Sequence, residues 1–337
     1  MLNRKQVLVV VIVLVTIITS VLFCLYIWHP QTSSRSLLIY KNYLSDDEVT
    51  NWIIDMETGE KWEVGKGFES TGWSPSGKYI AFHTLTLQPF EIWISDSIGN
   101  DLHQVLDIRN YPDLKVTDYA WLTDETILVN VVADTHQYGY MLNVNTHTIE
   151  KIPNSTGFIR ISPDGKFWVE FNTVDGYSLV DMDAASSHLS SVTTVWSYYF
   201  SPNGHDVAYS CAGTYRYSSL CLANISMSGI ANEHEIANDA LLHAWDLMWS
   251  QDGQYLGFFV VIDGTQSFRA INMSSGRIAY EWAYPSKTVL RKWSPRGDKV
   301  IDYDGLILDL ETGTSSNLFQ DGSAPYGVID WRLVKTP

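Results

Sequence analysis

The sequence predicts an all-β fold assembled from repeated small sheets. Three observations lead to this prediction: one turn motif recurs along the chain, a second strand-and-turn motif alternates with it, and aromatic residues, which favour strands, make up 13% of the 337 residues. Hydrophobic residues make up 45% of the chain, enough to bury a large core, so we exclude a largely disordered protein.

The first motif is a large apolar residue followed by Ser-Pro-Asp-Gly or a close variant. Pro fixes φ at the start of a turn, Asp or Asn tolerates unusual backbone angles, and Gly supplies positive φ. The apolar residue therefore ends one strand, and the next strand starts after the glycine. The motif recurs about every 38–49 residues, within the range of four-stranded propeller blades. Its copies begin at Trp73, Trp121, Ile161, Phe200, Trp249 and Trp293, and the Trp121 copy lacks Pro and Gly.

The second motif is an aliphatic residue, Asp or Asn, another apolar residue and a turn. It predicts a third strand that turns into the outer, fourth strand of a sheet. Clear copies begin at Ile54, Leu142, Ile271 and Leu308, and looser ones occur near Ile94 and Asp181. Because the two motifs alternate in a fixed order, we predict a β-propeller of about seven four-stranded blades. Six blades is the alternative if residues 220–245 are less regular.

The two ends of the repeat region complement each other. Residues 36–64 contain only the second motif, preceded by the apolar run 37–40, whereas residues 328–333 form a strand pattern with none after it. We therefore expect the C-terminal strand to pair with the N-terminal one and close the ring, which removes open sheet edges. The propeller domain is predicted to span residues 36–333, followed by a tail at 334–337.

The repeated Ser-Pro-Asp-Gly turns resemble the TolB-type, WD40-like propeller repeats. The resemblance covers roughly residues 36–333. It implies a propeller fold, but it assigns no activity because this repeat occurs in proteins of many unrelated functions.

The N-terminal region contains an uncharged apolar run from Gln6 to Trp28, long enough to cross a bilayer as a helix. Arg4 and Lys5 precede it, which places the N-terminus in the cytoplasm. We expect a cytoplasmic stub at 1–5, a transmembrane anchor at 6–28, a linker at 29–35, and a single-pass cell-membrane protein with its propeller outside the cytoplasm. A cleaved signal peptide is the alternative, disfavoured because the run is long and its C-terminal flank is bulky.

Two of the three cysteines, Cys211 and Cys221, fall on neighbouring strands of one predicted hairpin. Outside the cytoplasm they can form a disulfide. Two buried free thiols remain the alternative, since spacing alone does not fix the distance between them.

The sequence contains no motif that identifies catalysis. No Gly-x-Ser-x-Gly elbow, His-x-x-x-His pair or Cys-x-x-Cys pair occurs, so we assign no catalytic residue, metal ligand or cofactor. The net charge of −16 disfavours nucleic acid as a partner. We expect a non-enzymatic scaffold that binds a protein, peptide or glycan. An anchored hydrolase or lyase acting on polysaccharide or peptide is the alternative.

Candidate binding residues come from the loops that join second to third strands or one blade to the next, because these loops surround one mouth of a propeller. Tyr and Arg are enriched at binding hot spots. The alternative is that the aromatic residues pack on their own blades. The candidates are His136, Tyr138, Tyr215, Arg216, Tyr217, Arg109 and Tyr111.

Overall fold

The computed structural model describes most of the predicted repeat region. The described residues are 33–45, 48–85, 90–134, 136–153, 155, 157–172, 176–181, 188–192, 198–214, 217–226, 229–237, 241–242, 247–262, 265–283, 290–319 and 327–336. Residues 35–334 form one compact unit. A second unit comprises residues 1–34 and 335–337, of which four residues are described, all in strands.

Within these ranges, no helix is long and apolar enough to cross a membrane. The predicted anchor at residues 6–28 lies outside the described residues, so it stays a prediction.

The described strands form seven sheets, and the prediction of an all-β propeller is confirmed. Sheet 1 contains β29 (Val328–Thr336), β1 (Ser33–Ser45), β2 (Glu48–Asp55) and β3 (Lys61–Lys66), in that order. Sheet 2 contains β4 (Phe68–Trp73), β5 (Tyr79–Thr84), β6 (Glu91–Asp96) and β7 (His103–Asp107). Sheet 3 contains β8 (Lys115–Trp121), β9 (Thr126–Ala133), β10 (His136–Asn143) and β11 (Thr148–Lys151). A short 3₁₀ helix, Ile108–Asn110, precedes sheet 3.

The remaining four sheets follow the same order. Sheet 4 contains β12 (Phe158–Ile161), β13 (Phe167–Asn172), β14 (Gly176–Asp181) and β15 (His188–Val192). Sheet 5 contains β16 (Tyr198–Phe200), β17 (Asp206–Thr214), β18 (Tyr217–Ser226) and β19 (Gly229–Ala237). In sheet 6, β20 (Leu241–Leu242) and β21 (Met248–Trp249) both pair with β22 (Tyr255–Ile262), followed by β23 (Thr265–Asn272) and β24 (Arg277–Ala283). Sheet 7 contains β25 (Leu290–Trp293), β26 (Lys299–Asp302), β27 (Leu306–Asp309) and β28 (Ser315–Asn317).

The apolar core lies between neighbouring sheets. One cluster joins Leu38 and Trp331 of sheet 1 to Ile301 of sheet 7, and another joins Ile92 of sheet 2 to Val129 of sheet 3. Because each sheet buries both faces against its neighbours, the strands carry apolar residues on both sides.

The first motif ends the first strand of five sheets and β21 of sheet 6, so it precedes a strand turn in six sheets, as the sequence predicts. Its buried serine organises the turn. In the copy at Ile161, Ser162 N donates to Phe167 O (2.7 Å), Phe167 N donates to Ser162 Oγ (3.0 Å), and Gly165 N donates to Ser162 O (2.8 Å). Ser162 Oγ in turn donates to Asp164 Oδ1 (2.6 Å). The same two backbone–backbone bonds and the backbone N–H bond to the serine hydroxyl recur at Ser74, Ser201, Ser250 and Ser294.

The copy at Trp73 lacks the aspartate, which Ser76 replaces, and a neighbouring sheet supplies the missing carboxylate. Asp124, from the turn of sheet 3, accepts from Ser76 N (3.0 Å) and also from the Ser76 hydroxyl. The turn of sheet 3 therefore supplies the carboxylate that the turn of sheet 2 lacks.

Three motif tryptophans also join neighbouring sheets. The indole N–H donates to the carbonyl of the residue just before the motif aromatic of the preceding sheet. Trp121 donates to Gly72 O (3.3 Å), Trp249 to Tyr199 O (3.0 Å) and Trp293 to Met248 O (3.1 Å). In these three sheets, the residue that ends the strand therefore also holds that strand against the preceding sheet.

The C-terminal strand β29 pairs with β1, as the sequence predicts. Both strands are longer than predicted: β1 begins at Ser33, inside the predicted linker, and β29 continues to Thr336, inside the predicted tail. The extension has a physical reason, since Val334 is fully buried and packs beside Gly77 of the neighbouring turn.

Asp330 joins three sheets at the point of closure. Its Oδ2 accepts from Trp73 N of sheet 2 (3.2 Å) and from Arg332 Nε of its own strand (2.9 Å), and its Oδ1 lies 3.4 Å from Lys292 Nζ of sheet 7. The carboxylate approaches Gly72 so closely that an added Cβ would lie 2.9 Å from Oδ2, and Gly72 has φ +105°. Only glycine fits there.

The environment of Asp330 makes ring closure dependent on its charge. Burial alone would raise the pKa of this carboxyl group, but Lys292, Arg332 and two backbone N–H groups hold the pKa below its ordinary value. Because the folded pKa is lowered, the stabilisation is present above the unfolded pKa of about 3.9 and is lost as the pH falls through the folded pKa.

We therefore expect Asp330→Asn to lower the free energy of unfolding by about 2 kcal/mol at pH 7, since Trp73 N loses a charged acceptor and the partly exposed Lys292 and Arg332 lose their ionic partner. The wild type should lose this advantage as the pH falls below about 4. Denaturant unfolding at several pH values measures both effects, with Asp304→Asn, at an exposed turn position, as the control. Equal stability of wild type and Asp330→Asn at pH 7 would contradict the assignment.

Candidate functional site

A cavity of about 530 Å³ lies where the first-motif turns converge, and we call it the central cavity. All seven sheets or their turns contribute to its wall. The lining residues are Asp330 and Arg332 from sheet 1, Pro75 from sheet 2, Trp121 and Leu122 from sheet 3, Ile161 and Pro163 from sheet 4, Pro202 from sheet 5, Met248, Trp249 and Gln251 from sheet 6, and Lys292 and Trp293 from sheet 7.

The charged groups of the central cavity carry one surplus positive charge. Asp330 is buried between Lys292 and Arg332, whose side chains are 40% and 28% exposed. Arg332 Nη1 donates to Ser74 O and Pro75 O, both at 2.9 Å, so the guanidinium group is held in place. In a chain of net charge −16, a fixed cationic site at the axis is a local exception.

Apart from Gln251, whose side-chain amide donates to Trp331 O, the rest of the wall is apolar. Trp121 and Trp249 are half-buried, and their indole N–H groups are bound to backbone carbonyls of neighbouring sheets. Pro75, Pro163 and Pro202 are exposed at the rim. A preformed apolar pocket with a few convergent polar groups is typical of ligand-binding sites.

A second cavity of about 370 Å³, which we call the inner cavity, adjoins the first. The two share Trp121, Leu122, Ile161 and Pro163. The inner cavity is lined mainly by the first strands of sheets 3, 4 and 5, together with Leu128 and Asn130 of β9, and its lining includes Asp118 and Arg160. Burial raises the pKa of Asp118, although the charge of Arg160 and a backbone N–H oppose the shift.

A separate polar cluster joins sheets 1, 2 and 3 near the opposite ends of their strands. Glu69 accepts from Lys41 Nζ (3.1 Å) and from the hydroxyl of Tyr43, and its Oε2 lies 3.7 Å from His83 Nε2. The other ring nitrogen of His83 lies 3.1 Å from Tyr119 Oη. These five residues form the Glu69 cluster.

The Glu69 cluster has shifted pKa values with distinct causes. Burial would raise the pKa of Glu69, but hydrogen bonds from Tyr43 and Lys41 lower it overall. Burial lowers the pKa of His83, and Glu69 only partly opposes this. Burial raises the pKa values of Tyr43 and Tyr119. The cluster therefore holds an ionised carboxylate beside a histidine that burial keeps neutral.

Two of the predicted site residues, His136 and Tyr138, lie at the turn from β9 to β10. His136 is exposed, and its Nδ1 lies 3.0 Å from Asp134 O. Tyr138 is half-buried, and Lys151 Nζ lies 3.4 Å from the centre of its ring, a cation–π contact. This turn is at the opposite end of β9 from the first-motif turn, and so from the central cavity.

Arg109 and Tyr111 lie between β7 and β8. Arg109 Nη2 lies 2.7 Å from Asp107 Oδ2 and 2.9 Å from Glu91 Oε1. Both contacts are within sheet 2, so the guanidinium group is already engaged there. Tyr111 packs against the same apolar cluster as Tyr138. The structure therefore brings Tyr111 and Tyr138 to one cluster, and both side chains are half-buried.

The third predicted group surrounds the turn after β17. Tyr215 and Arg216 lie outside the described residues, and Tyr217 begins β18. Near this turn, Cys211 of β17 and Cys221 of β18 form a disulfide with a Cα–Cα distance of 5.6 Å. The sequence left a disulfide and two free thiols as alternatives, and the structure contains the disulfide.

Sequence reasoning did not single out Lys292, Asp330, Arg332 or Glu69. A signal was present for two of them, because Asp330 and Arg332 flank the aromatic residue of the C-terminal strand pattern. In the described part of the chain, no group of three or more His, Cys, Asp or Glu side chains is placed to hold a metal ion.

No protein-family model matches this chain, and no curated protein matches it. Several solved structures match it. TolB from Acinetobacter baumannii is 16% identical with a TM-score of 0.51, and the match covers 74% of this chain but only 63% of that one. An oligogalacturonate lyase in complex with manganese is 12% identical with a TM-score of 0.58, with 85% of each chain covered. A putative 6-phosphogluconolactonase from Bacteroides uniformis is 15% identical with a TM-score of 0.54, covering 90% of this chain and all of that one.

These similarities establish the fold. The chain has a TolB-like β-propeller fold, and at such low identity its neighbours assign no activity to it.

The Glu69 cluster yields a prediction for His83. We expect its pKa to lie below the ordinary value of about 6.5, and to fall further in Glu69→Gln, because the variant removes the one nearby anion that favours the charged ring. An NMR titration of the His83 ring protons measures both values, with Glu150→Gln, at an exposed position in β11, as the control. A rise of the His83 pKa in Glu69→Gln would contradict the proposed contact.

Proposed function

We propose that this protein is a membrane-anchored binding module that presents the central cavity to a protein, peptide or glycan outside the cytoplasm. One observation carries the proposal: a single cavity is lined by every sheet of the propeller, and the cations Lys292 and Arg332 are among its lining residues. Such a site is preformed, so binding requires little ordering of the protein.

The chemistry of the cavity indicates what part of a ligand it contacts. Lys and Arg side chains only donate hydrogen bonds. Lys292 and Arg332 therefore favour an acceptor-rich or acidic group, while Trp121 and Trp249 offer aromatic surface beside it. This combination suits a ligand with one acidic group on a partly apolar body.

The proposed location rests on two features. The uncharged run 6–28 is long enough for an anchor, with positive charge on its N-terminal side. The Cys211–Cys221 disulfide supports exposure of the propeller to an oxidising compartment, since such bonds are rare in the cytoplasm. We further propose that the seven sheets are the seven blades of one closed ring.

The binding function is tested with the full-length chain in detergent against peptide and oligosaccharide arrays. For any ligand found, we expect Lys292→Gln to weaken binding about tenfold, which corresponds to a loss of about 1.4 kcal/mol of binding free energy. Lys292→Arg, which keeps the positive charge, should retain most of the affinity. Lys166→Gln, which alters an exposed turn lysine outside the cavity, is the control.

A thermal unfolding curve for each variant separates loss of binding from loss of folding. A ligand whose affinity is the same for wild type, Lys292→Gln and Lys166→Gln does not use the central cavity. Its binding would contradict the proposed site.

The Glu69 cluster favours a second function, catalysis by proton transfer. It combines an ionised carboxylate, a neutral histidine and a lysine in partly exposed positions, with exposed side-chain fractions of 24% for Glu69, 21% for His83 and 12% for Lys41. Groups with shifted pKa values in one cluster are typical of acid–base sites. Under this second hypothesis the protein is an anchored hydrolase or lyase. Two of the structurally similar proteins are described as a lyase and a lactonase.

The second function is tested by product formation from oligogalacturonate and from a sugar lactone. If the cluster is catalytic, we expect Glu69→Gln to reduce the rate at least a hundredfold, the lower end for a general acid or base. Lys292→Gln should leave the rate unchanged. Activity that falls in Lys292→Gln and survives in Glu69→Gln would exclude the cluster as the active site.

A further inference from the structure

A collar of apolar residues follows the first-motif turns around the central cavity. The third position of the motif is a proline in four copies, and three of these prolines line the cavity. The closing strand repeats the start of the motif as Trp331-Arg332-Leu333, which puts Leu333 in the third position of sheet 1. We call these five residues the apolar collar: Pro75, Pro163, Pro202, Pro295 and Leu333.

Leu333 shows that the protein leaves part of the apolar collar uncovered. It is 52% exposed, and in the described part of the chain it and Ile278 are the two exposed large apolar residues. Its neighbours on β29 are held in place, because Arg332 donates to the turn of sheet 2 and Val334 is buried against the same turn. Apolar surface that stays exposed beside a cavity is typical of an interaction site.

The chain enters the propeller on the side of the central cavity. Near the start of β1, Ser36 Oγ accepts from Trp331 Nε1 (3.0 Å), and the residues on both sides of Trp331 line the cavity. Lys41, further along β1, belongs to the Glu69 cluster at the opposite strand ends. The proposed anchor ends at residue 28, and the eight residues from there to Ser36 span at most about 29 Å. The chain therefore leads from the cavity side of the propeller to the anchor by a short tether.

We propose that the central cavity binds a single-chain acidic lipid from the membrane that holds the anchor. Its carboxylate or phosphate head group contacts Lys292 and Arg332, and its alkyl chain lies against the indole rings and the apolar collar. This inference goes beyond the proposed function, because it adds a ligand class to the same cavity, and it rests on the proposed anchor.

The charge of the cavity matches one acidic head group. Lys292 Nζ lies 3.4 Å from one oxygen of Asp330, and Arg332 Nε lies 2.9 Å from the other. The two cations therefore flank a single carboxylate and leave one positive charge in surplus. A compact anion beside Asp330 meets both cations, and Lys and Arg both form charge-assisted hydrogen bonds with carboxylate and phosphate oxygens.

The remaining wall favours an alkyl chain over a polar ligand body. The indole N–H groups of Trp121, Trp249 and Trp293 are already bound to backbone carbonyls, and the amide of Gln251 is bound to Trp331 O. The hydroxyl groups of a sugar would thus meet few partners among these lining residues, and burial of polar groups without partners is unfavourable. An alkyl chain needs none, and its transfer from water to an apolar wall is favourable.

The test uses the full-length chain in nanodiscs of phosphatidylcholine. The probe is dodecyl phosphate with a photoreactive diazirine in its chain, and the neutral probe is the corresponding dodecanol at equal content in the nanodisc. Mass spectrometry of digested protein locates the label. We expect dodecyl phosphate to label the central cavity or the apolar collar, and dodecanol to label them about tenfold less, because it lacks the charge. Excess inorganic phosphate should leave the labelling unchanged, which distinguishes a lipid from a free anion.

Matched variants separate the contribution of the head group from that of the chain. Lys292→Gln should reduce labelling by dodecyl phosphate about tenfold and leave labelling by dodecanol unchanged. Leu333→Ser should reduce labelling by both probes about threefold, because the alkyl chain loses apolar contact. The controls are Lys166→Gln, outside the cavity, and Ile278→Ser, on the last strand of sheet 6. Thermal unfolding of each variant confirms that it folds.

Three results would overturn the inference: no label in the central cavity or the apolar collar, equal labelling by the two probes, or unchanged labelling in Lys292→Gln. If one of these occurs while a peptide or oligosaccharide from the arrays binds in a manner that depends on Lys292, the central cavity is still the binding site and only the lipid inference fails. If no ligand depends on Lys292, the proposed function fails as well.

Discussion

The propeller depends on one buried carboxylate. Asp330 contacts the backbone of Trp73 and the side chains of Lys292 and Arg332, and so connects sheets 7, 1 and 2 at the closure of the ring. A ring built from repeated sheets has one junction where the two ends of the chain meet. The turns elsewhere in the repeat join strands that are consecutive in sequence, whereas here residues more than 250 positions apart must be held together.

The same interactions that close the ring create the site. The motif serines hold the turns in one conformation, and three of the motif tryptophans bind backbone carbonyls of neighbouring sheets. The turns therefore meet around the axis with their prolines and aromatic rings towards a common space. Lys292 and Arg332 both form ion pairs with Asp330 beside that space. The one positive charge that Asp330 does not neutralise is available to a ligand. Stability and binding consequently share three side chains, so ligand binding and ring closure are thermodynamically linked.

The two ends of the molecule offer different chemistry. The central cavity at the first-motif turns combines rigid apolar walls with cations, which suits recognition. The Glu69 cluster, near the other strand ends, combines groups of shifted pKa that are bonded to one another, with Tyr119 and His83 linking it towards the inner cavity. Tyr119 thus belongs to both regions. Apart from Tyr119, the binding and catalytic hypotheses therefore rest on different residues.

The sequence by itself determined the repeat. The first motif marked the ends of β4, β8, β12, β16, β21 and β25, because Pro, Asp or Asn, and Gly act through local backbone preferences that need no tertiary contact. It also indicated the C-terminal strand that pairs with β1. It could not locate the central cavity or the Glu69 cluster, because Lys292 and Asp330, or Lys41 and Glu69, are distant in sequence and meet only when the sheets are arranged around the axis. Only the tertiary structure decided which carboxylate completes the turn at Ser76 and that Cys211 and Cys221 are bonded. It also decided which charged side chains line the cavities. Each of these depends on distances between strands, which a one-dimensional pattern does not contain.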